Sequence, residues 1–196
     1  MNTIETKNLT LVACDQKLLE VALAGNEQLS EHLNVIVPEN WTEFGSRALK
    51  HSLDKLNSSE SEKGWWSHLP IHKVDNKLVG LCGYKGQPNE KGQVEIGYEI
   101  KAEYRNKGLA TELAKSLIEN AFNFETVQSI QAHTLGQINA STKVLSNCGF
   151  QKIDEIDGKE LGTLWKWELK RVSTRYEIIS VILSTFGLWD ELIHHC

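Results

Sequence analysis

Val94-Glu95-Ile96-Gly97-Tyr98-Glu99-Ile100, then Arg105-Asn106-Lys107-Gly108-Leu109-Ala110 and the run Thr111 to Phe124, is the stretch that decides the fold. The first segment alternates apolar with polar or small residues, as a half-buried strand does. The last places Leu109, Leu113, Leu117 and Ala121 on one stripe, widened by Ala110, Ala114 and Ile118, which predicts one long helix over 107–124. A short glycine-containing loop joins the two. Strand, loop and helix start bring unpaired backbone N–H groups and the positive end of a helix dipole to one point. Such a joint suits a phosphate or pyrophosphate. The segment is therefore read as the seat of a phosphorylated cofactor.

Upstream of the joint, Leu9 to Ala13 reads as an opening strand, and Asp15 to His32 as helix broken near Gly25-Asn26. Thr42 or Glu43 begins a further helix carrying Phe44, Ala48, Leu49, Leu53 and Leu56, and the polar run 57–64 is a loop. Trp65 to Val74 and Lys77 to Gly86 flank an Asp75-Asn76 turn, and a second turn over 87–92 leads into Gln93 to Lys101. Three successive antiparallel strands is the simplest topology. The spaced glycines Gly80, Gly83 and Gly86 point to close strand packing or a bulge rather than to a dinucleotide fingerprint.

Downstream, Val127 to Leu135 is a strand and Asn139 to Asn147 a short helix stopped near Gly149. Phe150 to Ile156 and Leu161 to Leu169 form a final hairpin around Asp157-Gly158. The main domain is placed at 1–171. An extension over 172–196 carries Ile178, Ile182, Phe186 and Trp189 at helical spacing, an amphipathic helix that packs on its own domain or forms a homodimer contact.

With 196 residues, 40% hydrophobic and 24% charged, the composition is that of a globular protein with a sizeable core. A net charge of −5 gives no basic footprint for nucleic acid. No apolar run of membrane-spanning length and no secretory start are seen, so the expectation is a cytoplasmic protein without a membrane partner. Cys14, Cys82, Cys148 and Cys196 are scattered and read as reduced thiols. No paired ligand spacing supports a metal, and His194-His195-Cys196 diverges around a helix at the chain end.

At Arg105-x-x-Gly108-x-Ala110 the chain resembles the GCN5-related N-acetyltransferase (GNAT) superfamily, whose signature is Gln or Arg, two residues, Gly, one residue, then Gly or Ala. Glu95-Ile96-Gly97-Tyr98, Tyr104 to Glu112, Ala132-His133-Thr134-Leu135, Asn139 to Leu145 and Cys148-Gly149-Phe150 are similar to the subgroup containing ribosomal-protein N-terminal acetyltransferases. The resemblance covers roughly residues 8–171. It implies an α+β fold: a twisted, mixed, mostly antiparallel sheet covered by helices on both faces, with two strands splaying to admit acetyl-CoA as co-substrate. It also implies that backbone N–H groups of Arg105, Asn106, Lys107, Gly108, Leu109, Ala110 and Thr111 cradle the pyrophosphate. Strand backbone at Glu99, Ile100 and Lys101 would pair with the pantetheine arm, and Asn139 stands near the family's cofactor-side Asn, displaced by one position from Ile138.

The chemistry so implied is transfer of acetyl to a primary amine, either a peptide N-terminus or a small molecule, by direct attack and without a metal. Glu95 is the first candidate for the base, with Glu99 on the same strand face as the alternative. His133 is a candidate proton shuttle. Where many members carry a Tyr, this chain has Leu145, and Ser141 is the candidate for hydrogen-bonding the leaving thiolate. That departure also admits a different class, a regulatory protein that binds acyl-CoA without turnover. One of Trp65 and Trp66 is expected to wall the acceptor cleft while the other joins the core.

Overall fold

Strand β6 (Gln93–Ile100), helix α4 (Leu109–Phe122) and strand β7 (Ser129–Leu135) form the centre of the molecule, seen in a computed structural model that describes residues 2–158 and 161–172. β6 and β7 are the parallel pair that a crossover helix requires. Only Gln93↔Ser129, Val94↔Ile130 and Glu95↔Gln131 are in register, after which the two strands separate. The expected splay is present, and it begins just beyond Glu95.

The remaining elements are strands β1 (Thr3–Glu5) and β2 (Leu9–Ala13), helices α1 (Gln16–Ala24), α2 (Asn26–Leu33) and α3 (Gly45–Ser58), and strands β3 (Ser67–His72), β4 (Lys77–Leu78) and β5 (Gly80–Tyr84). Helix α5 (Ala140–Asn147) and strands β8 (Gln151–Asp157) and β9 (Thr163–Lys170) follow β7. The sheet runs β1-β2-β3-β5-β6-β7-β9-β8, with β4 paired to β3. Every described pairing between these strands except β6–β7 is antiparallel. The mixed, mostly antiparallel sheet flanked by helices is the fold class expected from sequence.

Local chemistry accounts for the boundaries. Asp15 caps α1 by accepting from the Leu18 amide at 2.8 Å, and Gly25 at φ 146° separates α1 from α2. Helix α3 starts at Gly45 rather than at Thr42 or Glu43, because the Thr42 hydroxyl and the Glu43 amide are both bound to the Glu99 carboxylate. The strand expected over 77–86 is two strands. Between the β3–β4 pairs and the β3–β5 pairs the register slips by one residue, which is a bulge. A Cβ on Gly80 would lie 2.1 Å from the Glu99 carbonyl oxygen and one on Gly83 2.0 Å from that of Trp66. Close strand packing and a bulge both explain these glycines.

Alternation along the central strands divides the core. Val94, Ile96 and Ile100 are buried toward α4, whose Leu109, Leu113, Leu117 and Ala121 form the expected stripe. Tyr84 donates its hydroxyl to the Leu117 carbonyl at 2.7 Å on that side. Leu81, Gly83 and Gly97 face the other side, toward α3. The 172–196 extension and its His194-His195-Cys196 cluster lie outside the described residues, apart from Val172. Cys14, Cys82 and Cys148 are free thiols.

Candidate active site

A cleft of about 550 Å³ opens where β6 leaves β7. Ile100, Arg105, Asn106, Gly108, Leu109, Ala110 and Thr111 line one wall, and Ala140, Lys143, Val144 and Asn147 of α5 line the other. Gly108 precedes α4 at φ 78°, a conformation that favours glycine, and no side chain caps the helix. The Glu112 amide bonds back to Gly108 at 3.0 Å. Ahead of it, the amides of Leu109, Ala110 and Thr111 have no partner inside the helix. A Cβ on Gly108 would meet nothing within 4 Å among the described residues, which leave the approach to these amides open. Donors, dipole and space fit a pyrophosphate.

The loop before the helix is held rigidly. Tyr104 donates to Asp75 Oδ2 at 2.5 Å. Arg105 uses its side chain on the Ile100 carbonyl at 2.9 Å and on Glu43 at 2.6 Å, and its amide bonds Ala102 at 3.2 Å. Arg105 therefore lines the cleft, but its backbone N–H is spent within the loop. Lys107 Nζ sits 4.9 Å from the Tyr104 ring centroid and is not among the residues lining the cleft. Lys143 is, and sequence reasoning missed it: the ammonium arrives from the facing helix, without any motif in the loop itself.

Strand parity sorts the remaining backbone candidates. Glu95 accepts from Lys85 N at 2.9 Å and Lys101 N donates to Val79 at 2.8 Å, both on the β5 side. Alternation then directs Glu99 toward β5 as well. Of Glu99, Ile100 and Lys101, only Ile100 turns its backbone groups toward the cleft. Ile96 and Tyr98 share that direction and were not anticipated. The Tyr98 hydroxyl is also buried, with no hydrogen-bond partner among the described residues.

Glu95 and His133 meet across the start of the splay. His133 Nδ1 lies 2.9 Å from Glu95 Oε1, and Lys85 Nζ binds the same oxygen. Burial pushes the Glu95 carboxyl up, but the Lys85 ammonium and the His133 hydrogen bond outweigh it and leave the group below its ordinary value. An ionised carboxylate only accepts, so Nδ1 is the donor, and Nε2 is the ring nitrogen left to exchange a proton. Glu99 is differently committed, since Thr42 and Glu43 hold its carboxylate in the loop before α3.

Two predicted residues stand apart from this pair. Asn139 caps α5, accepting from the Thr142 amide at 3.0 Å and donating its own amide to Thr142 Oγ1 at 3.0 Å. Its side chain serves the helix rather than the cleft. Ser141 is exposed on the first turn of α5, next to Ala140 at the cleft wall. Leu145 is core, 1% exposed. Trp65 and Trp66 are both buried, but only Trp66 lines the cavity beneath α3, while Trp65 packs on Tyr84 and Phe124.

Residues 9–151 match the family model described as an acetyltransferase (GNAT) domain. The chain is 30% identical over 151 residues to the uncharacterized N-acetyltransferase YjdG of Bacillus subtilis (strain 168), covering 76% of this chain and 90% of that one. Its fold is similar to the ribosomal-protein-S5-alanine acetyltransferase of Vibrio fischeri, with TM-score 0.63, 17% identity, and 88% and 98% of the two chains covered. It is also similar to the microcin C7 self-immunity acetyltransferase MccE, solved with acetyl-CoA and AMP, with TM-score 0.60, 14% identity, and 84% and 93% covered.

Proposed function

Since the chain belongs to the acetyltransferase (GNAT) family, we propose that it acetylates a primary amine, a peptide N-terminus or a small molecule, by direct attack in a ternary complex. The observation that carries this reading is the Glu95–His133 pair where β6 and β7 separate, on the same strand that leads to a cleft ending on open helix amides. Acetyl-CoA, when bound, supplies a thioester, so transfer forms an amide C–N bond, breaks the C–S bond and moves the amine proton to the released thiol.

The residues divide this work. The amides of Leu109 to Thr111 and the Lys143 ammonium hold phosphate charge. Tyr98 and Ile100 offer backbone N–H groups along the separated edge of β6, where one of them polarises a carbonyl oxygen. Glu95 attracts the incoming ammonium and fixes the His133 tautomer. His133 Nε2, or a water on the Glu95 carboxylate, takes the proton that must leave before nitrogen can attack. A metal has no part in this scheme.

Calorimetry with acetyl-CoA, followed by thiol release against an amine library, tests the reading. Glu95→Gln is expected to lower kcat by about 100-fold or more while the acetyl-CoA Kd stays unchanged. His133→Gln keeps a donor for Glu95 but cannot take a proton, and the same split between kcat and Kd is expected. No acetyl-CoA binding would sink the proposal. Binding without turnover across the library would favour an acyl-CoA-binding regulator.

A further inference from the structure

On the sheet face opposite α4, a cavity of about 240 Å³ opens between α3 and strands β3, β5 and β6. Phe44, Ala48 and His51 face Trp66, Leu81 and Gly97 across it. Of the polar side chains that line it, those of Ser52, Ser67, Trp66 and Lys85 are engaged within the protein, the Lys85 ammonium on Glu95. Ser52 Oγ is 2.8 Å from Ser67 Oγ and donates to the Ala48 carbonyl at 3.0 Å. Trp66 Nε1 donates to Glu62 at 2.8 Å, and the exposed His51 ring lies edge-on to Trp66 with centroids 5.2 Å apart. A polar occupant would give up its water and find only the exposed His51 ring among the lining side chains as a new partner. An apolar occupant gains by leaving water.

The size limits the occupant. Sites that enclose a whole drug-sized ligand run to about 300–1,000 Å³, so this cavity takes one side-chain-sized group. Gly97 is its floor, and the fold does not demand glycine there. The residue is not at positive φ, and among the described residues a Cβ would meet only Lys85 Cε at 3.8 Å. The missing side chain leaves space between two carboxylates, because Glu95 and Glu99 flank Gly97 on the same strand face. Glu99 is held by Thr42 and Glu43, and Glu95 is the ionised group at the splay.

The geometry points to an acceptor of defined chemistry: a primary amine whose adjacent carbon skeleton carries an aromatic or branched aliphatic group. That group sits over Gly97 beneath α3, and the amino group sits at Glu95. This assignment rests on the transferase reading and adds to it the property by which the acceptor is chosen. A long polycation lacks the apolar group, and a small polar residue leaves the cavity to water.

The test uses the full chain, acetyl-CoA and thiol release with four sets of acceptors. These are phenethylamine and isopentylamine, tripeptides beginning with Leu or Phe, tripeptides beginning with Ser or Asp, and spermidine. The apolar sets are expected to exceed the others in kcat/KM by about 10- to 100-fold. Which apolar set leads separates a polypeptide end from a free amine as the source. Gly97→Val narrows the cavity from the sheet side and Ala48→Phe fills it from α3. Each is expected to raise KM for apolar acceptors about tenfold with the acetyl-CoA Kd unchanged, which also reports an intact fold. A preference for spermidine or for Ser and Asp peptides overturns the assignment while leaving the transferase reading in place. So does indifference of apolar acceptors to both filling variants. Thiol release with none of the amines overturns both.

Discussion

His68 is an imidazole in β3, 2% exposed, with Nδ1 3.0 Å from the Trp66 carbonyl and its ring edge-on to Tyr84. Burial drives its pKa down to about 4, against the pull of the Trp66 hydrogen bond. The unfolded chain takes up a proton at this residue near pH 6.5, whereas the folded chain does so only near pH 4. In the window between, the unfolded state binds more protons, so stability falls as pH falls. The loss at pH 5 should be about 2 kcal/mol relative to pH 7. Urea midpoints at the two pH values measure it, and His68→Gln, whose amide can still donate to the Trp66 carbonyl, should flatten the difference. Equal acid sensitivity in both proteins would clear His68. Nothing in the sequence marks this residue, because burial comes from neighbours distant along the chain. The same limit applies to the acidic pair. Alternation places Glu95 and Glu99 on one face, but only the return of Thr42 and Glu43 onto Glu99 separates a supporting carboxylate from the one beside His133.

Helices α4 and α5 show which elements were legible. The apolar stripe of α4 and the capping residues of α5 are local signals, and both helices lie where those signals put them, with α4 starting two residues late at Leu109. The resemblance sets Asn139 beside the family's cleft Asn, and its side chain closes a capping box with Thr142. Asn139→Ala is therefore expected to cost about 1 kcal/mol of stability and to leave acetyl-CoA affinity within error. A large loss of affinity with unchanged stability would restore the cofactor role. Strand β1 escaped notice because three residues carry no readable period. The β4–β5 break escaped because a bulge answers to backbone contacts, here at Gly80 and Gly83, that hydrophobic pattern does not encode.

For the molecule as a whole, the sheet order explains why the cleft lies where it does. β6 and β7 are the one parallel pair among the described strands, joined through α4, and their carboxyl ends diverge with no further strand between them. A ligand enters such a sheet beyond the carboxyl ends of parallel strands. The separation of two neighbouring strands was implied by the resemblance that the motifs along the chain carry. The cavity beneath α3 was not, since residues near 44, 66, 81 and 97 meet only after the sheet has formed. The sheet also closes at its last strand. Beyond β9, Arg171 donates to the Val127, Phe122 and Phe124 carbonyls at 2.7, 2.9 and 2.7 Å, and its guanidinium lies 5.0 Å from the Phe122 ring centroid. These contacts place a cation on the carbonyls at the end of α4, the favourable pole for it. A chain ending at Val172 retains every contact described for the core and for the cleft. It should unfold in one cooperative transition, with Tm within a few degrees of the full chain and the same acetyl-CoA Kd. Arg171→Ala should cost both lengths about 2 kcal/mol. A shortened chain that melts without cooperativity would show that residues 173–196 belong to the domain, and the boundary near Arg171 would fall.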